Sequence, residues 1–379
     1  MRRWDQPAPG ESEAGDRSWE IVREAYEERI RSPRTRDWRP IAIVAVAVAV
    51  VAAAVTPTGH AVLGSLRDAV RRQPNATPAL FSLPATHSRL LVNSAEGAWV
   101  VQSDGSKRLL DGYRDASWSP HGLYLAALHG DELRALEPNG KVHWSVGRAR
   151  LASPRWSKEG TGDERVAYLA DSTLRVIGGD GRGDRALARD VARIAPAWRP
   201  RTHVLAYVDR TGKIFVRSSD TGAIQWTSSA AQQSPTALEW SDDGRYLLAR
   251  GASSLTIFSQ TGRQRLVPLG PPLAAPVVDA AFRPSSHALA FVQRTAGRSS
   301  VWFYPQLRPE ATVARPVFAG AGDFDRIVWS PDSRWLMLSW RSADQWLFIR
   351  SAAVRKVIPV SGIEEAFGPD AVPAGWCCP

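Results

Sequence analysis

Three short stretches of this chain follow one pattern: Ser117-Trp118-Ser119-Pro120-His121-Gly122, Glu239-Trp240-Ser241-Asp242-Asp243-Gly244 and Val328-Trp329-Ser330-Pro331-Asp332-Ser333. In each, a tryptophan precedes a turn built from Ser, Pro, Asp or Gly, residues that reverse a chain tightly. The pattern recurs at Trp156, Trp198 and Phe282, so successive aromatics are 38, 42, 42, 42 and 47 residues apart. A repeat of about 40–45 residues is typical of a four-stranded propeller blade.

The interior of each repeat has the same order of segments. A short apolar run follows the turn, such as YLAAL at 124–128 or VLAYV at 204–208. A second β-rich run then ends in a hairpin signal, as at Asn139-Gly140 and Asp180-Gly181. Each repeat therefore predicts four strands, and the large aromatic is expected to fill the wedge between neighbouring blades.

The repeats resemble those of TolB-type and WD40-like propellers, whose blades carry a W-S-P-D-G turn. Ser330-Pro331-Asp332 and Ser241-Asp242-Asp243-Gly244 match that turn best, whereas RPRT at 199–202 and RPSS at 283–286 depart from it. The resemblance covers residues 88–379 and implies an all-β propeller. It implies little about activity, because this repeat family serves many functions.

The two ends of the repeat region predict how the ring closes. Residues 89–111 contain three strand-like runs that match the second, third and fourth strands of a blade, without a first. Trp376, 47 residues after Trp329, lies in a segment like the one around Trp118. A C-terminal strand would then complete the N-terminal blade and remove an open edge. The sequence predicts seven blades, with six, as in TolB itself, as the alternative.

The segment before the repeats predicts a membrane anchor. Residues 41–55 carry no polar side chain, and five arginines lie between Arg29 and Arg39 immediately before them. Positive charge stays on the cytoplasmic side. We therefore expect a cytoplasmic segment at 1–37, one transmembrane helix at 38–60, a juxtamembrane segment and linker at 61–87, and an extracytoplasmic propeller at 88–379. A cleaved signal peptide fits less well, because the charged region before the apolar run is long.

A short amphipathic helix is predicted at 18–31 within the cytoplasmic segment. Trp19, Val22, Tyr26 and Ile30 share one face at helical spacing. Two interpretations are open: a marginal helix without a partner, or a helix that docks a cytoplasmic protein or lies on the lipid bilayer.

No catalytic, cofactor or metal constellation is found. The sequence lacks G-x-S-x-G, H-E-x-x-H, a Walker loop and a Rossmann fingerprint, and residues 178–183 are interpreted as a Gly-rich loop. His121, His203 and His287 lie at or just after turns of different blades, where a shared site is conceivable but exposed turn residues are favoured. Asp242, Asp243 and Asp332 are too few for a calcium cage. The sequence therefore predicts no enzyme, no cofactor and no metal.

Two further features bear on partners. The net charge of +10 lies beyond residue 39, because residues 1–39 hold nine arginines and nine acidic residues. The basic side chains there are scattered, which favours a solvated surface over nucleic-acid binding.

Cys377 and Cys378 are the two cysteines. Packed thiols are favoured for them, with an intermolecular or a vicinal disulfide as alternatives.

From these features we expect a membrane-anchored, extracytoplasmic propeller that holds a protein, peptide or envelope polymer on one face. The alternative is a transmembrane regulator, in which the helix at 18–31 docks a cytoplasmic partner, for example a transcription factor, while the propeller senses the exterior.

Overall fold

The first strands of seven four-stranded sheets surround a common axis. The computed structural model describes residues 81–158, 163–229, 235–269, 275–306, 314–351 and 357–378, and within them twenty-eight strands form seven antiparallel sheets. First strands of successive sheets contact one another. This arrangement confirms the all-β, seven-bladed propeller. The predicted helices at 18–31 and 38–60 lie outside the described residues. No helix among the described residues is long and apolar enough to span a bilayer.

The strands of each blade are ordered from the axis of the ring outwards. Blade 1 contains β28 (Val372–Cys377), β1 (Arg89–Asn93), β2 (Gly97–Val101) and β3 (Lys107–Asp111). Blade 2 contains β4 (Tyr113–Trp118), β5 (Leu125–His129), β6 (Glu132–Leu136) and β7 (Val142–Gly147). Blade 3 contains β8 (Leu151–Trp156), β9 (Arg165–Ala170), β10 (Thr173–Gly178) and β11 (Arg185–Ala188). Blade 4 contains β12 (Ala197–Trp198), β13 (Val204–Val208), β14 (Ile214–Ser218) and β15 (Ile224–Thr227).

The other three blades follow the same order. Blade 5 contains β16 (Ala237–Trp240), β17 (Tyr246–Arg250), β18 (Leu255–Ser259) and β19 (Gln264–Leu266). Blade 6 contains β20 (Val277–Phe282), β21 (Leu289–Thr295), β22 (Arg298–Tyr304) and β23 (Arg315–Ala321). Blade 7 contains β24 (Phe324–Trp329), β25 (Trp335–Trp340), β26 (Gln345–Arg350) and β27 (Val357–Ser361). One short α-helix, α1 (Ile363–Phe367), lies between β27 and β28.

The ring closes as the sequence predicts, through the C-terminal strand. β28 pairs antiparallel with β1, and Trp376 lies opposite Leu90. Residues near both ends of the described chain thus share one sheet, and blade 1 has no missing first strand.

Four of the signature tryptophans donate a hydrogen bond to the blade before their own. The indole N–H of Trp198 donates to the Arg155 carbonyl at 2.9 Å, and that of Trp240 donates to the Ala197 carbonyl at 3.1 Å. In both cases the acceptor is the residue immediately before the signature aromatic of the preceding blade. Trp118 and Trp329 repeat the contact with the corresponding carbonyls. The aromatic fills the wedge between blades, as expected, and it also satisfies a backbone acceptor there.

The two turns that depart from the Ser-Pro-Asp pattern use arginine for a different contact. In the Ser-type turn, the Ser330 hydroxyl accepts a hydrogen bond from the Trp335 N–H at 2.9 Å. Where arginine replaces that serine, its guanidinium stacks on the tryptophan of the next blade. The Arg199 guanidinium lies 5.5 Å from the Trp240 ring centroid, and that of Arg283 lies 5.9 Å from Trp329. These cation–π contacts keep adjacent turns together at one end of the ring.

The hydrophobic core is divided among the blade interfaces. The described residues form seven clusters, one at each interface. The cluster between blades 7 and 1 also includes Leu83 and Ala85, which are buried, with Phe81 packed against it. Residues 81–87, assigned to a linker from the sequence, therefore pack against the propeller.

Because the strands alternate in direction, the loops separate into two ends of the ring. The Ser/Pro turns and the third-to-fourth strand turns lie at one end, which we call the turn face. The second-to-third strand loops and the blade-to-blade connectors lie at the other, which we call the connector face.

A candidate ligand cleft on the connector face

A cleft of about 130 Å³ opens on the connector face where blade 7 meets the closing strand. It begins at a β-bulge in β24: Phe324 pairs with Trp340 and Arg326 pairs with Ser339, so Asp325 has no partner of its own in β25. A bulge of this kind redirects a side chain away from the regular pleat. Asp325 lines the cleft. We call this site the connector cleft.

The outer wall of the connector cleft is the segment that carries α1. The Asp344 carboxylate, from the loop after β25, accepts a hydrogen bond from the Glu364 N–H at 2.8 Å and so holds the start of the helix. Blade 1 holds its end: the Trp99 indole donates to the Phe367 carbonyl at 2.8 Å, and the Lys107 ammonium donates to the Ala366 carbonyl. The wall is therefore fixed from both neighbouring blades.

Gly368 is required where α1 ends. Its φ of 81° lies in the left-handed region, and a Cβ placed there would come within 2.6 Å of the Glu96 carboxyl carbon. The next residue continues the attachment to blade 1, because the Ala95 N–H donates to the Pro369 carbonyl at 3.0 Å. The positive φ therefore favours glycine at this position, and a larger residue would also have to displace the Glu96 side chain.

Three residues that line the connector cleft each carry a polar atom that has almost no accessible surface and no hydrogen-bond partner in the described part of the chain. The atoms are Asp325 Oδ1, Gln345 Oε1 and Trp346 Nε1. Trp346 is completely buried, stacked on Phe367 with ring centroids 4.8 Å apart. Buried polar groups without partners cost free energy.

The connector cleft is also predominantly acidic. Asp325, Asp344, Glu364 and Asp370 line it together with one arginine, Arg341, which pairs with Asp370. Burial raises the pKa values of Asp325 and Asp344 above the usual range for aspartate. The cleft therefore provides carboxylates in a poorly solvated position.

A second group of charged side chains lies on the first strands of blades 5 and 6, nearer the axis of the ring. The buried Asp279 carboxylate accepts from the Ile327 N–H at 3.0 Å and is 3.3 Å from the Arg250 guanidinium. Glu239 accepts from the Phe282 N–H at 3.3 Å, and burial raises its pKa to about 7. Each carboxylate thus bonds to the backbone of the next blade's first strand. These contacts serve to join blades.

The histidines of the turns do not form a shared site. His121 lies 3.7 Å from Glu164, His203 lies 3.0 Å from Asp220, and His287 lies 2.8 Å from Asp243. His203 and His287 are partly buried, whereas His121 is exposed, so the interpretation as exposed turn residues holds for His121 alone among the three. Within the described ranges no group of three or more His, Cys, Asp or Glu is placed to hold a metal.

The turn aspartates stabilise the turns in which they lie. Asp243 accepts from the Ser241 hydroxyl at 2.7 Å, and Asp332 accepts from the Ser330 hydroxyl at 2.5 Å. Asp242 instead reaches the neighbouring turn, where it accepts from the Ser285 N–H at 3.1 Å.

The Gly-rich stretch at 178–183 ends β10 and forms the turn before β11, as predicted for a loop. Its close approach to blade 2 explains one of the glycines. The Trp144 indole donates to the Gly179 carbonyl at 2.7 Å, and a Cβ on Gly181 would come within 2.6 Å of the Trp144 ring.

The two cysteines end the closing strand over the first turn of blade 2. The structure joins Cys377 to Cys378 in a vicinal disulfide, which differs from the packed thiols favoured by the sequence. Cys378 Sγ lies 3.5 Å from the Pro120 carbonyl oxygen.

A second depression, of about 290 Å³, lies on blade 4. The stacked rings of Tyr207 and Phe215 form part of it, with Arg189, Arg210 and Arg217 around them. The Arg217 guanidinium donates to the Leu187 and Gly222 carbonyls, so part of this positive charge is already satisfied.

Nothing in the sequence marked the connector cleft. Asp325 belongs to a β-bulge, Asp344 to a loop and Glu364 to a connector helix, and none of these is part of the repeat signature. The segment EAFGPD at 365–370 has no counterpart in the repeat pattern, and this irregularity was the one sign in the sequence of an unusual connector. The segment does not specify a ligand.

No protein-family model matches the chain, and no curated protein matches its sequence at a significant level. Solved structures do resemble it. A 6-phosphogluconolactonase-like protein from Bacteroides fragilis superposes with a TM-score of 0.55 at 13% identity, covering 78% of this chain and 99% of that one. Kluyveromyces lactis Hsv2 superposes with a TM-score of 0.51 at 12% identity, covering 70% and 90%.

A chain of the mitotic checkpoint complex is similar as well, with a TM-score of 0.52 at 16% identity, covering 76% of this chain and 88% of that one. At such low identities the likeness shows the fold alone. The chain adopts the seven-bladed β-propeller fold.

Proposed function

We propose that this chain is a membrane-anchored, extracytoplasmic binding module whose connector face holds its ligand. The observation that carries the proposal is the connector cleft, a cavity whose outer wall is held by both neighbouring blades and whose lining includes several carboxylates. Propellers commonly serve as rigid platforms for partners, and the likeness to a chain of the mitotic checkpoint complex is in keeping with protein binding.

The anchor in this proposal is the predicted helix at 38–60, with residues 1–37 in the cytoplasm. Its support is the apolar run at 41–55 directly after an arginine cluster. The absence of catalysis, of cofactors and of nucleic-acid binding remains a prediction from the sequence. The likeness to a 6-phosphogluconolactonase-like protein does not bring that protein's activity to this chain, because the identity is 13%.

One observation favours the transmembrane regulator as a second candidate. Phe81, the first described residue after the predicted anchor, contacts Trp346 with ring centroids 6.0 Å apart. Trp346 also lines the connector cleft. A ligand that moves Trp346 would therefore act on the segment that leads to the membrane.

The orientation is tested on the full chain with a single added cysteine. Leu266 is 64% exposed on the fourth strand of blade 5, so Leu266→Cys places a reactive thiol on the outside of the propeller. A membrane-impermeant maleimide should label this variant in intact cells, with the parent chain as the control for Cys377 and Cys378. Labelling only after the cells are lysed would overturn the extracytoplasmic placement.

A further inference from the structure

The described chain joins the propeller at the turn face. The Leu83 N–H donates to the Ser103 carbonyl at 2.9 Å, in the turn between β2 and β3. The Phe81 carbonyl oxygen lies so close to Gly105 of the same turn that an added Cβ there would be 1.6 Å from it. β2 and β3 are the third and fourth strands of blade 1, so this turn belongs to the turn face. The segment that follows the predicted anchor therefore meets the ring at this end.

Exposed apolar side chains are concentrated at the same end. Four large hydrophobic side chains are exposed among the described residues, and three of them lie at the turn face. Leu123, in the Ser/Pro turn of blade 2, is 59% exposed. Val142 and Ile224, which begin the fourth strands of blades 2 and 4, are 43% and 49% exposed. Single exposed apolar residues are common, so these three carry an argument only together with the charges of the same face.

The turn face also carries arginines without an acidic partner. Four exposed arginines in or beside its turns form no ion pair with a described carboxylate: Arg201, Arg263, Arg334 and Arg350. Asp332, the carboxylate nearest to Arg334 in the chain, accepts hydrogen bonds from the Ser330 hydroxyl and from the Arg334 backbone N–H. The four guanidinium groups thus carry positive charge that the described part of the chain does not neutralise.

The connector face has the opposite character. Its cleft is lined by four carboxylates and one arginine, and that arginine, Arg341, pairs with Asp370. A surface of negative charge attracts the turn face and repels the connector face. The two ends of the ring therefore differ in how they would approach an anionic surface.

The combination of apolar and basic groups favours lipid over a soluble polyanion. A protein surface binds at the bilayer interface through buried apolar area together with electrostatic attraction to anionic headgroups. A nucleic acid or an acidic polysaccharide would pair with the arginines but would leave Leu123, Val142 and Ile224 in water.

We propose that the turn face lies against an anionic phospholipid surface, with its exposed apolar side chains among the headgroups and the connector cleft directed away from the bilayer. This inference rests on the proposed membrane anchor, which would hold the ring beside the bilayer, and it adds which face of the ring meets lipid.

The test compares two positions of blade 4 in the full chain, reconstituted into liposomes of phosphatidylcholine and phosphatidylglycerol. Ile224→Cys places a bimane fluorophore at the turn face, and Thr211→Cys places one in the exposed loop between β13 and β14 at the connector face. A phosphatidylcholine spin-labelled on its headgroup quenches a fluorophore that lies at the bilayer surface. The parent chain, treated with the same reagent, gives the background from Cys377 and Cys378.

We expect at least twofold stronger quenching at position 224 than at position 211. The difference should decrease in liposomes of phosphatidylcholine alone, because the attraction between arginines and anionic headgroups is then lost. Equal quenching at the two positions, or stronger quenching at position 211, would overturn the proposal.

Matched charge variants test the role of the arginines. Arg334→Gln with Arg350→Gln should lower the quenching at position 224. Arg189→Gln with Arg210→Gln removes the same charge from exposed positions of the connector face and should leave the quenching unchanged. Equal effects of the two pairs would contradict an attraction through the turn face. Heparin binding that depends on Arg334 and Arg350, without quenching by lipid, would assign the face to a soluble polyanion and overturn the proposal.

Alkaline carbonate extraction of the same liposomes tests the anchor separately. A chain that is extracted lacks the proposed anchor, whatever the quenching shows. A chain that resists extraction but is quenched equally at positions 224 and 211 keeps the anchor, and only the assignment of the turn face to lipid fails.

Discussion

The indole N–H of Trp376 donates a hydrogen bond to the hydroxyl of Ser88 at 2.7 Å, across 288 residues of sequence. Both residues are buried at the seam of the ring, where β28 completes blade 1. Blade 1 is thus the only one whose strands come from both ends of the described chain. Its stability depends on the last strand remaining in place.

Removal of residues 370–379 should destabilise the whole propeller. The truncation deletes β28, opens the edge of β1 and exposes the interface with blade 7. A single Trp376→Ala substitution should already cost about 3–5 kcal/mol of unfolding free energy, out of about 5–15 kcal/mol for a typical domain. Thermal melting followed by circular dichroism measures both. An unchanged melting temperature after truncation would contradict the role assigned to the closing strand.

The hydrogen bonds of the signature tryptophans can be separated from their packing by comparing two of them. Trp240 donates to the Ala197 carbonyl, whereas the buried Trp156 Nε1 has no partner in the described part of the chain. Both Trp→Phe substitutions lose similar ring area, but Trp240→Phe also removes a hydrogen bond to the Ala197 carbonyl, whereas Trp156→Phe removes an N–H that has no partner among the described residues. Trp240→Phe should therefore be more destabilising than Trp156→Phe by about 1–3 kcal/mol, as measured by chemical denaturation. Equal losses would mean that the indole hydrogen bond does not contribute.

Glu239 should make the stability of the propeller fall as the pH rises. Burial raises its pKa from 4.5 to about 7, so between these values the folded state holds a proton that the unfolded state has released. The stabilisation from the neutral carboxyl is complete below about pH 4.5 and is lost as the pH rises through 7.

Glu239→Gln keeps an acceptor for the Phe282 N–H but cannot ionise. The variant should melt close to the parent near pH 4 and increasingly above it from pH 5 to 8, as followed by melting curves across that range. A difference in melting temperature that stays constant with pH would show that Glu239 does not titrate in this window.

The predicted helix at 18–31 lies outside the described residues, and its role is tested by substitution in the full chain. Trp19→Ala with Tyr26→Ala should abolish the capture of a cytoplasmic partner, because both side chains lie on the shared apolar face. Arg23→Ala with Glu27→Ala alters the opposite face and serves as the control. Affinity capture with both variants, at equal protein levels in the membrane, measures the effect. Retention of the partner by the first variant would exclude docking through this face.

The architecture was accessible from the sequence because each blade repeats the same physical requirement. A large aromatic residue is needed at each wedge to fill space between blades, and Trp198 and Trp240 show that an indole N–H can find a backbone acceptor there as well. That requirement recurs once per blade and so leaves a period in the sequence. The incomplete first blade and the isolated Trp376 similarly predicted the closure, since an unpaired sheet edge is unfavourable.

The turn arginines show where the pattern is less informative. RPRT at 199–202 and RPSS at 283–286 depart from the repeat, and the sequence offers no reason for the change. The structure explains it through the stacking of Arg199 on Trp240 and of Arg283 on Trp329. The partner of each arginine is in the next blade, about one repeat further along the chain, so the turn sequence alone does not reveal it.

The repeat, the seven blades and the strand that closes the ring can be read from the sequence, because regular packing between blades imposes regular spacing along the chain. The connector cleft can be seen only once the chain is folded. Asp325 lines it because of a one-residue bulge in β24, and Glu364 reaches it on a connector that blade 1 holds in place. Trp346 is surrounded by residues from separate segments, such as Phe81 and Phe367, so the sequence does not reveal whether its Nε1 finds a hydrogen-bond partner. Within the described part of the chain this convergence belongs to a single blade junction, and a feature that does not repeat leaves no period to recognise.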